Sequence, residues 1–212
     1  NGARPEPVPP WREAAVAGVG SGPAGLTTAY HLARLGYPVT MFEAGDELGG
    51  VLRTGIPSYR LPRDVLDKEI DYILKHEISV ETGCELKRED MLRLSREYQA
   101  VFIATGLQNV SDLNLGDSAP VAPVQGLHFL EKVRRGKERL DGQRVIVIGG
   151  GNTAMDAARS ALRIGASEVR VVYRRTRSEM PAIHEEIEQA LQEGIILDEL
   201  VSPVSLGESE NG

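Results

Sequence analysis

The sequence predicts an α/β protein made of two Rossmann-like dinucleotide-binding βαβ domains, both incomplete. Three observations carry that expectation. Short apolar strands alternate with amphipathic helices, the pattern of parallel βαβ units. A strand, glycine turn and helix occur in that order twice, at Gly20 and at Gly149, 129 residues apart. Glycine is also in excess, with 23 in 212 residues, and eleven of them fall within the windows 18–25, 45–55 and 149–151. Glycine concentrated in that way brings backbone close to something else.

The elements follow in order. Pro5, Pro7, Pro9 and Pro10 make residues 1–12 a stiff, extended linker. A strand is expected over 14–20, then an amphipathic helix from Pro23 to Leu35, stopped by Gly36. Val39 to Phe42 reads as a strand and 44–60 as a glycine-rich loop. Val65, Leu66, Ile70, Ile73 and Leu74 recur at helical spacing within 62–76. Ile78 and Val80 alternate with polar residues as in a strand, and Val101 to Ala104 forms another. Residues 106–123 are irregular. The pattern then restarts. Val145 to Ile148 is a continuous apolar run, as in a strand buried on both faces. Helices are expected over 153–164 and 182–193, and strands over 169–172 and 195–201. The domains are accordingly 1–12 linker, 13–123 first dinucleotide domain and 124–212 second, the latter two unclosed.

Composition excludes several function classes. A net charge of −7 is the wrong sign for a nucleic-acid protein. No apolar run approaches the roughly 18 residues of a membrane span. Cys84 is the only cysteine, so an intramolecular disulfide, a dithiol relay and a cysteine-ligated cluster cannot be built from this chain alone. The lack of disulfides fits a cytoplasmic location. His31, His76, His128 and His184 lack the close spacing of a zinc site and read as ordinary surface or core histidines. No signal peptide is visible in this sequence, and its first residue is Asn1 rather than Met, so the amino terminus reads as a cut rather than a start.

Gly20-Ser21-Gly22-Pro23-Ala24-Gly25 is a G-x-G-x-x-G with an apolar strand before it and a helix after it. Glu43 lies 18 residues past Gly25, at the end of the next strand. Gly20 permits the tight turn, Gly22 lets a pyrophosphate approach the backbone, and Gly25 lets helix and strand pack. The helix N-terminus offers N–H groups and positive dipole to phosphate, and Glu43 accepts hydrogen bonds from ribose hydroxyls. Gly18, in mid-strand, has no role legible in the sequence.

Gly149-Gly150-Gly151-Asn152-Thr153-Ala154 is the G-x-G-x-x-A form of the same motif. Here no acid ends the next strand. Arg174 and Arg175 stand 20 and 21 residues past Ala154, with Arg177 a third candidate. A carboxylate there would repel a 2′-phosphate, whereas guanidinium groups clamp it with paired hydrogen bonds. The second site is therefore expected to take NADP rather than NAD.

Together the motifs resemble a known family. Val19-Gly20-Ser21-Gly22-Pro23-Ala24-Gly25-Leu26, Phe42-Glu43-Ala44 and Gly49-Gly50-Val51-Leu52-Arg53 resemble the FAD site of flavoproteins with two dinucleotide-binding domains. Gly55-Ile56-Pro57, Tyr59-Arg60-Leu61-Pro62, Ile103-Ala104-Thr105-Gly106 and the stretch from Tyr173 to Ala182 narrow the likeness to the glutamate synthase small (beta) subunit family. The same module occurs in dihydropyrimidine dehydrogenase and NADPH–ferredoxin transhydrogenase subunits. The resemblance implies FAD contacts at Gly20, Gly22, Pro23, Ala24, Gly25, Glu43, Gly50, Leu52, Arg60, Leu86, Thr105 and Gly106. The backbone of Leu86 would meet the adenine. It implies NADPH contacts at Gly149, Gly150, Gly151, Asn152, Thr153, Arg174, Arg175 and Arg177. No catalytic acid, base, nucleophile or metal ligand is assigned.

The implied reaction is hydride transfer from NADPH to FAD, with electrons passed on to an iron–sulfur domain or large subunit. In that family the chain returns to the FAD domain after the NADPH domain, through a Gly-Asp segment. This chain is therefore expected to be about half of a subunit and to hold FAD weakly or not at all when expressed alone. A pyrimidine-dehydrogenase or transhydrogenase module, and a non-catalytic nucleotide-binding fragment, stay open beside the leading reading.

Overall fold

A computed structural model describes residues 5–107 and 123–207. The chain divides into two compact units, Asn1–Asn109 and Val110–Gly212. The expected domain boundary at 123/124 adjoins 108–122, which lie outside the described residues, as do residues 1–4 of the linker and the last five residues.

The first unit holds β1 (Val16–Val19), α1 (Pro23–Arg34), β2 (Val39–Phe42), α2 (Val51–Thr54), α3 (Arg63–Leu74), β3 (Ser79–Glu81), α4 (Arg88–Glu97) and β4 (Ala100–Ile103). Its sheet is parallel, in the order β3-β2-β1-β4. Alternation along the strands divides the core between two faces. Val39 and Met41 pack with Leu26, Ala29 and Ala33 of α1 and with Leu66 and Ile70 of α3. Ala17, Val19 and Phe42 pack with Leu94 of α4. The strand order reverses between β1 and β4, and in open parallel sheets ligands bind at the carboxyl ends of strands beside such a reversal.

Gly18 now has a physical reason. It pairs with Phe102 across the β1–β4 ladder, and a Cβ on Gly18 would lie 2.2 Å from the Phe102 ring. The expected linker is extended over 5–12, and it is also tied down. Tyr72 Oη donates to Pro5 O, the N–H groups of Trp11 and Arg12 both donate to Gly36 O, and the Arg12 guanidinium stacks on Trp11 and Tyr37. His76 is fully buried, edge-on to Tyr30 and Tyr72, and burial holds its pKa below the ordinary histidine value.

The second unit holds α5 (Gly126–Arg134), β5 (Arg144–Ile148), α6 (Asn152–Arg163), β6 (Glu168–Tyr173), a 3-10 turn (Arg177–Glu179), α7 (His184–Gln192) and β7 (Ile196–Glu199). Its sheet is parallel, in the order β5-β6-β7. Met155, Ala158 and Ala161 of α6 pack with Val169, Val171, Ile187 and Ala190. The expectation that β5 is buried on both faces is corrected. Val145 and Val147 pack on that core, but Ile146 is 64% exposed and Ile148 40% exposed. All three described helices lie with the Val145 side, so the continuous apolar run hides a strand covered on one face among the described residues.

Four further details depart from the sequence expectation. The loop 44–60 contains α2, the last helix begins at His184 rather than Ala182, and α4 and α5 form where no element was expected. Met91 and Leu94 of α4, with Tyr98 just after it, and Phe129 and Leu130 of α5 face their cores, although Leu94 and Leu130 alone in these helices are buried.

Candidate functional site

Each unit places one glycine turn at the carboxyl end of its first strand, and the two turns are built alike. Gly20 N–H donates to Phe42 O at 2.8 Å, and Gly149 N–H donates to Val172 O at 3.1 Å. Each bond ties the turn to the end of the neighbouring strand. Gly20 and Gly149 both have positive φ, at 97° and 136°, a conformation glycine adopts without strain.

The remaining glycines separate into two kinds. A Cβ on Gly25 would lie 2.0 Å from Gly20 O, and one on Gly150 would lie 2.6 Å from the Tyr173 ring. Packing within the protein explains both. Gly22 and Gly151 differ. Each caps its helix with ordinary negative φ, −67° and −90°, and a Cβ there would meet nothing within 4 Å. Neither strain nor packing demands glycine at these two positions. What they keep clear is space outside the protein, at the start of a helix.

Those helix starts suit an anion. Neither α1 nor α6 has a side-chain cap or an acid in its first turn. α3, α4 and α7 instead carry Asp64, Glu89 with Asp90, and Glu185 with Glu186 in theirs, while α2 and α5 are likewise without them. The first N–H groups of α1 and α6 and their positive dipole ends are thus left for a ligand. The residues present fit a dinucleotide pyrophosphate at both turns.

Around the first turn the structure gathers most of the expected residues. Glu43 follows β2 directly. Its Oε2 accepts from Ser21 N–H at 2.8 Å and Ser21 O–H at 2.5 Å, and its Oε1 accepts from Gly45 N–H at 2.8 Å. Gly50 lies against Gly22, where a Cβ would come within 2.8 Å of the Gly22 Cα. Thr105 follows β4 and packs on Gly20, and Gly106 has a positive φ of 75°. Leu86 joins Phe42 and Leu94 in the core, two residues after Cys84, whose N–H donates to Glu43 O. Leu52 is in α2 and packs on the α1 side of the core. Arg60 closes the turn begun at Pro57 and is half-buried. Ser21, fully buried, and Arg53 were missed in the sequence. Arg53 donates to Leu48 O and pairs with Asp67 and Glu47, which anchors the Gly49–Gly50 loop onto α3.

At the second turn Asn152 Oδ1 accepts from Ile183 N–H at 2.9 Å, and Gly150 O accepts from Ala182 N–H at 3.0 Å. The segment ahead of α7 is thereby held against the turn, and Thr153 sits exposed beside it. The register equates Glu43 with Tyr173, since each is the residue after the carbonyl that accepts from the first glycine. Arg174 and Arg175 come next, both exposed and without a hydrogen bond or ion pair to another side chain among the described residues. Thr176 and Glu179 form a reciprocal capping box, which with the nearby Arg175 charge keeps the Glu179 carboxyl below its ordinary pKa. Arg177 stands apart from the other two arginines. Its guanidinium pairs with Glu188 and its N–H donates to Glu199.

Two parallel-sheet units, each with a glycine turn opening onto an uncapped helix, define a Rossmann-like dinucleotide-binding protein. The chain belongs to the pyridine nucleotide-disulphide oxidoreductase family, whose sequence profile matches residues 14–198. It is 44% identical over 216 residues to NADP(+)-dependent formate dehydrogenase subunit beta of Moorella thermoacetica, covering 93% of this chain and 31% of that protein. It is 38% identical over 217 residues to NADPH-Fe(3+) oxidoreductase subunit beta of Geobacter sulfurreducens, covering 100% of this chain and 32% of that one. It is 33% identical over 190 residues to the glutamate synthase [NADPH] small chain of Azospirillum brasilense, covering 84% and 39%. The chain thus spans about a third of the length of these relatives. Among solved structures, Mycobacterium tuberculosis FprA in complex with NADPH has the same fold, with a TM-score of 0.71 at 22% identity over 86% of this chain and 48% of that one. Among the described residues no helix is long and apolar enough to cross a membrane, and no cluster of His, Cys, Asp or Glu could hold a metal ion.

Proposed function

We propose that this chain carries the FAD site and the NADPH site of a flavin-dependent oxidoreductase similar to the glutamate synthase small subunit. Gly22 and Gly151 carry the reading, because neither strain nor packing requires glycine at these two helix starts, whereas a pyrophosphate approaching the backbone does. The first site is assigned to FAD through its match to the flavoprotein motifs and through Glu43, the acid that follows β2 and that would accept hydrogen bonds from the adenosine ribose. The second is assigned to NADPH through Arg174 and Arg175. Support also comes from the relatives, whose names specify NADP(+) or NADPH.

When bound, the two cofactors supply the redox chemistry, a hydride passing from NADPH to FAD and the electrons then leaving for an iron–sulfur domain or partner subunit. The chain's own residues bind and orient. The N-termini of α1 and α6 would hold the two pyrophosphates. Gly22, Gly50 and Gly151 keep the approach open. Glu43 fixes the flavin's ribose, and Arg174 and Arg175 select the 2′-phosphate.

The test is the double substitution Arg174→Ala with Arg175→Ala. NADPH affinity should fall by about 10- to 100-fold, the scale of one or two charge-assisted hydrogen bonds, with NADH affinity nearly unchanged. Equal losses for both nucleotides would remove the 2′-phosphate assignment.

A further inference from the structure

Ser21 occupies a variable position of the first glycine motif, yet it is fully buried and joins three parts of the site. Its N–H and O–H both donate to Glu43 Oε2, at 2.8 Å and 2.5 Å. Its carbonyl and its Oγ both accept from Gly49 N–H, at 3.1 Å and 3.2 Å. Gly49 precedes Gly50, the residue seated on Gly22. One small side chain thus links the turn, the carboxylate after β2 and the loop that closes on the turn.

The chemistry of this arrangement is specific. A glutamate side chain has three rotatable bonds, and ordering such a chain on ligand binding costs rotamer freedom. Here that ordering is already done. Oε2 is held by two donors of one residue and Oε1 by Gly45 N–H, so the carboxylate plane is set before any ligand arrives. A carboxylate offers about four acceptor positions, and these three bonds leave capacity for a ribose hydroxyl. Packing alone does not require this donor at position 21, since an alanine would fill most of the same volume without holding Glu43.

We infer that Ser21 is a positioning residue of the first dinucleotide site, acting through Glu43 to set its selectivity for a ligand with free adenosine ribose hydroxyls. The inference rests on the assignment of that site to FAD. Ser21 touches no reacting atom. It pre-orders the group that recognises the ribose.

The experiment compares two flavins on the intact protein, stripped of cofactor, by fluorescence titration. One is FAD, and the other is FAD lacking the 2′ and 3′ hydroxyls of its adenosine ribose. The wild type should prefer FAD. Ser21→Ala should lose about tenfold in FAD affinity, the worth of one hydrogen bond to a charged group, and no more than about twofold for the analogue. Ser21→Cys, which fills the space with a weak donor, should give the same split, so the result does not hang on how well the alanine variant folds. In a Glu43→Gln background Ser21→Ala should add little, because residues acting as one unit are not additive. Equal losses for both flavins, no loss for either, or full additivity with Glu43→Gln overturns the role of Ser21 and leaves the FAD assignment standing. A wild type that binds both flavins equally, or binds neither, overturns the assignment itself, and the role of Ser21 falls with it.

Discussion

At Gly22 and Gly25 the same residue type answers to different causes three positions apart. A methyl group at Gly25 would overlap Gly20 O, so Gly25→Ala should destabilise the fold, lowering the midpoint of thermal unfolding by several degrees. A methyl group at Gly22 or Gly151 would meet open space, and alanine costs only about 1 kcal/mol as a helix cap. Gly22→Ala and Gly151→Ala should therefore keep most of their stability and lose cofactor affinity, a split read by pairing thermal unfolding with ligand titration. Gly18→Ala tests packing in isolation. Its Cβ would meet the Phe102 ring at 2.2 Å, and overfilling of this kind costs about 1–3 kcal/mol with no direct effect on a cofactor. The motif pattern made Gly20, Gly22 and Gly25 legible from spacing alone. Ser21 was not, because a variable position announces nothing until the partner of its side chain is known. Arg53 was hidden for the same reason, since Asp67 lies 14 residues away and one element further on.

Between elements, a network of ion pairs joins α6 to α7 and to the C-cap of α7. Arg159 is 4% exposed and pairs with Glu186 and with Glu193, and Arg163 adds two further bonds to Glu193. The Arg163 hydrogen bonds, aided by Arg159 against the cost of burial, draw the Glu193 pKa down from 4.5 to about 2. A depressed carboxylate pKa stabilises the fold fully above the unfolded value and is lost as pH falls through the folded one. Urea unfolding should thus show stability declining between about pH 4.5 and pH 2, and Glu193→Gln should flatten that slope. At neutral pH the same substitution should cost about 1.5–3 kcal/mol, the value of a hydrogen bond to a charged group. Which elements could be foreseen follows from how much of each is buried. α1 and α3 showed in the sequence because several of their apolar residues face the core. α4 and α5 were missed although Met91, Leu94 and Tyr98, and Phe129 and Leu130, face their cores, because most of these positions are only partly buried and charged residues fill much of the rest of each helix.

Over the whole molecule, each unit carries its own turn, its own uncapped helix and its own strand-end residue, so the two sites are separable by mutation. In the intact protein Gly22→Ala should lower the bound flavin content and leave NADPH affinity within about twofold, and Gly151→Ala should do the reverse, as expected for sites that share no residues. Flavin absorbance after gel filtration and NADPH titration check the two halves. Loss of both cofactors from either single variant would contradict separate sites.

The sequence by itself determined that this protein has two parallel α/β units, that each begins with a strand, a glycine turn and a helix, and that an acid follows the first pair of strands and arginines the second. These features are local, since spacing and residue type within some 35 positions specify them. Only the tertiary structure decided which glycines packing requires and which it leaves open, because that depends on atoms brought from β4, β6 and the loop after β2. It also decided that Ser21 grips Glu43, that Arg177 is drawn to Glu188 and away from Arg174 and Arg175, and that β5 is covered on one face. Each of these turns on a contact between residues far apart in sequence, or on the absence of one, which no local pattern encodes.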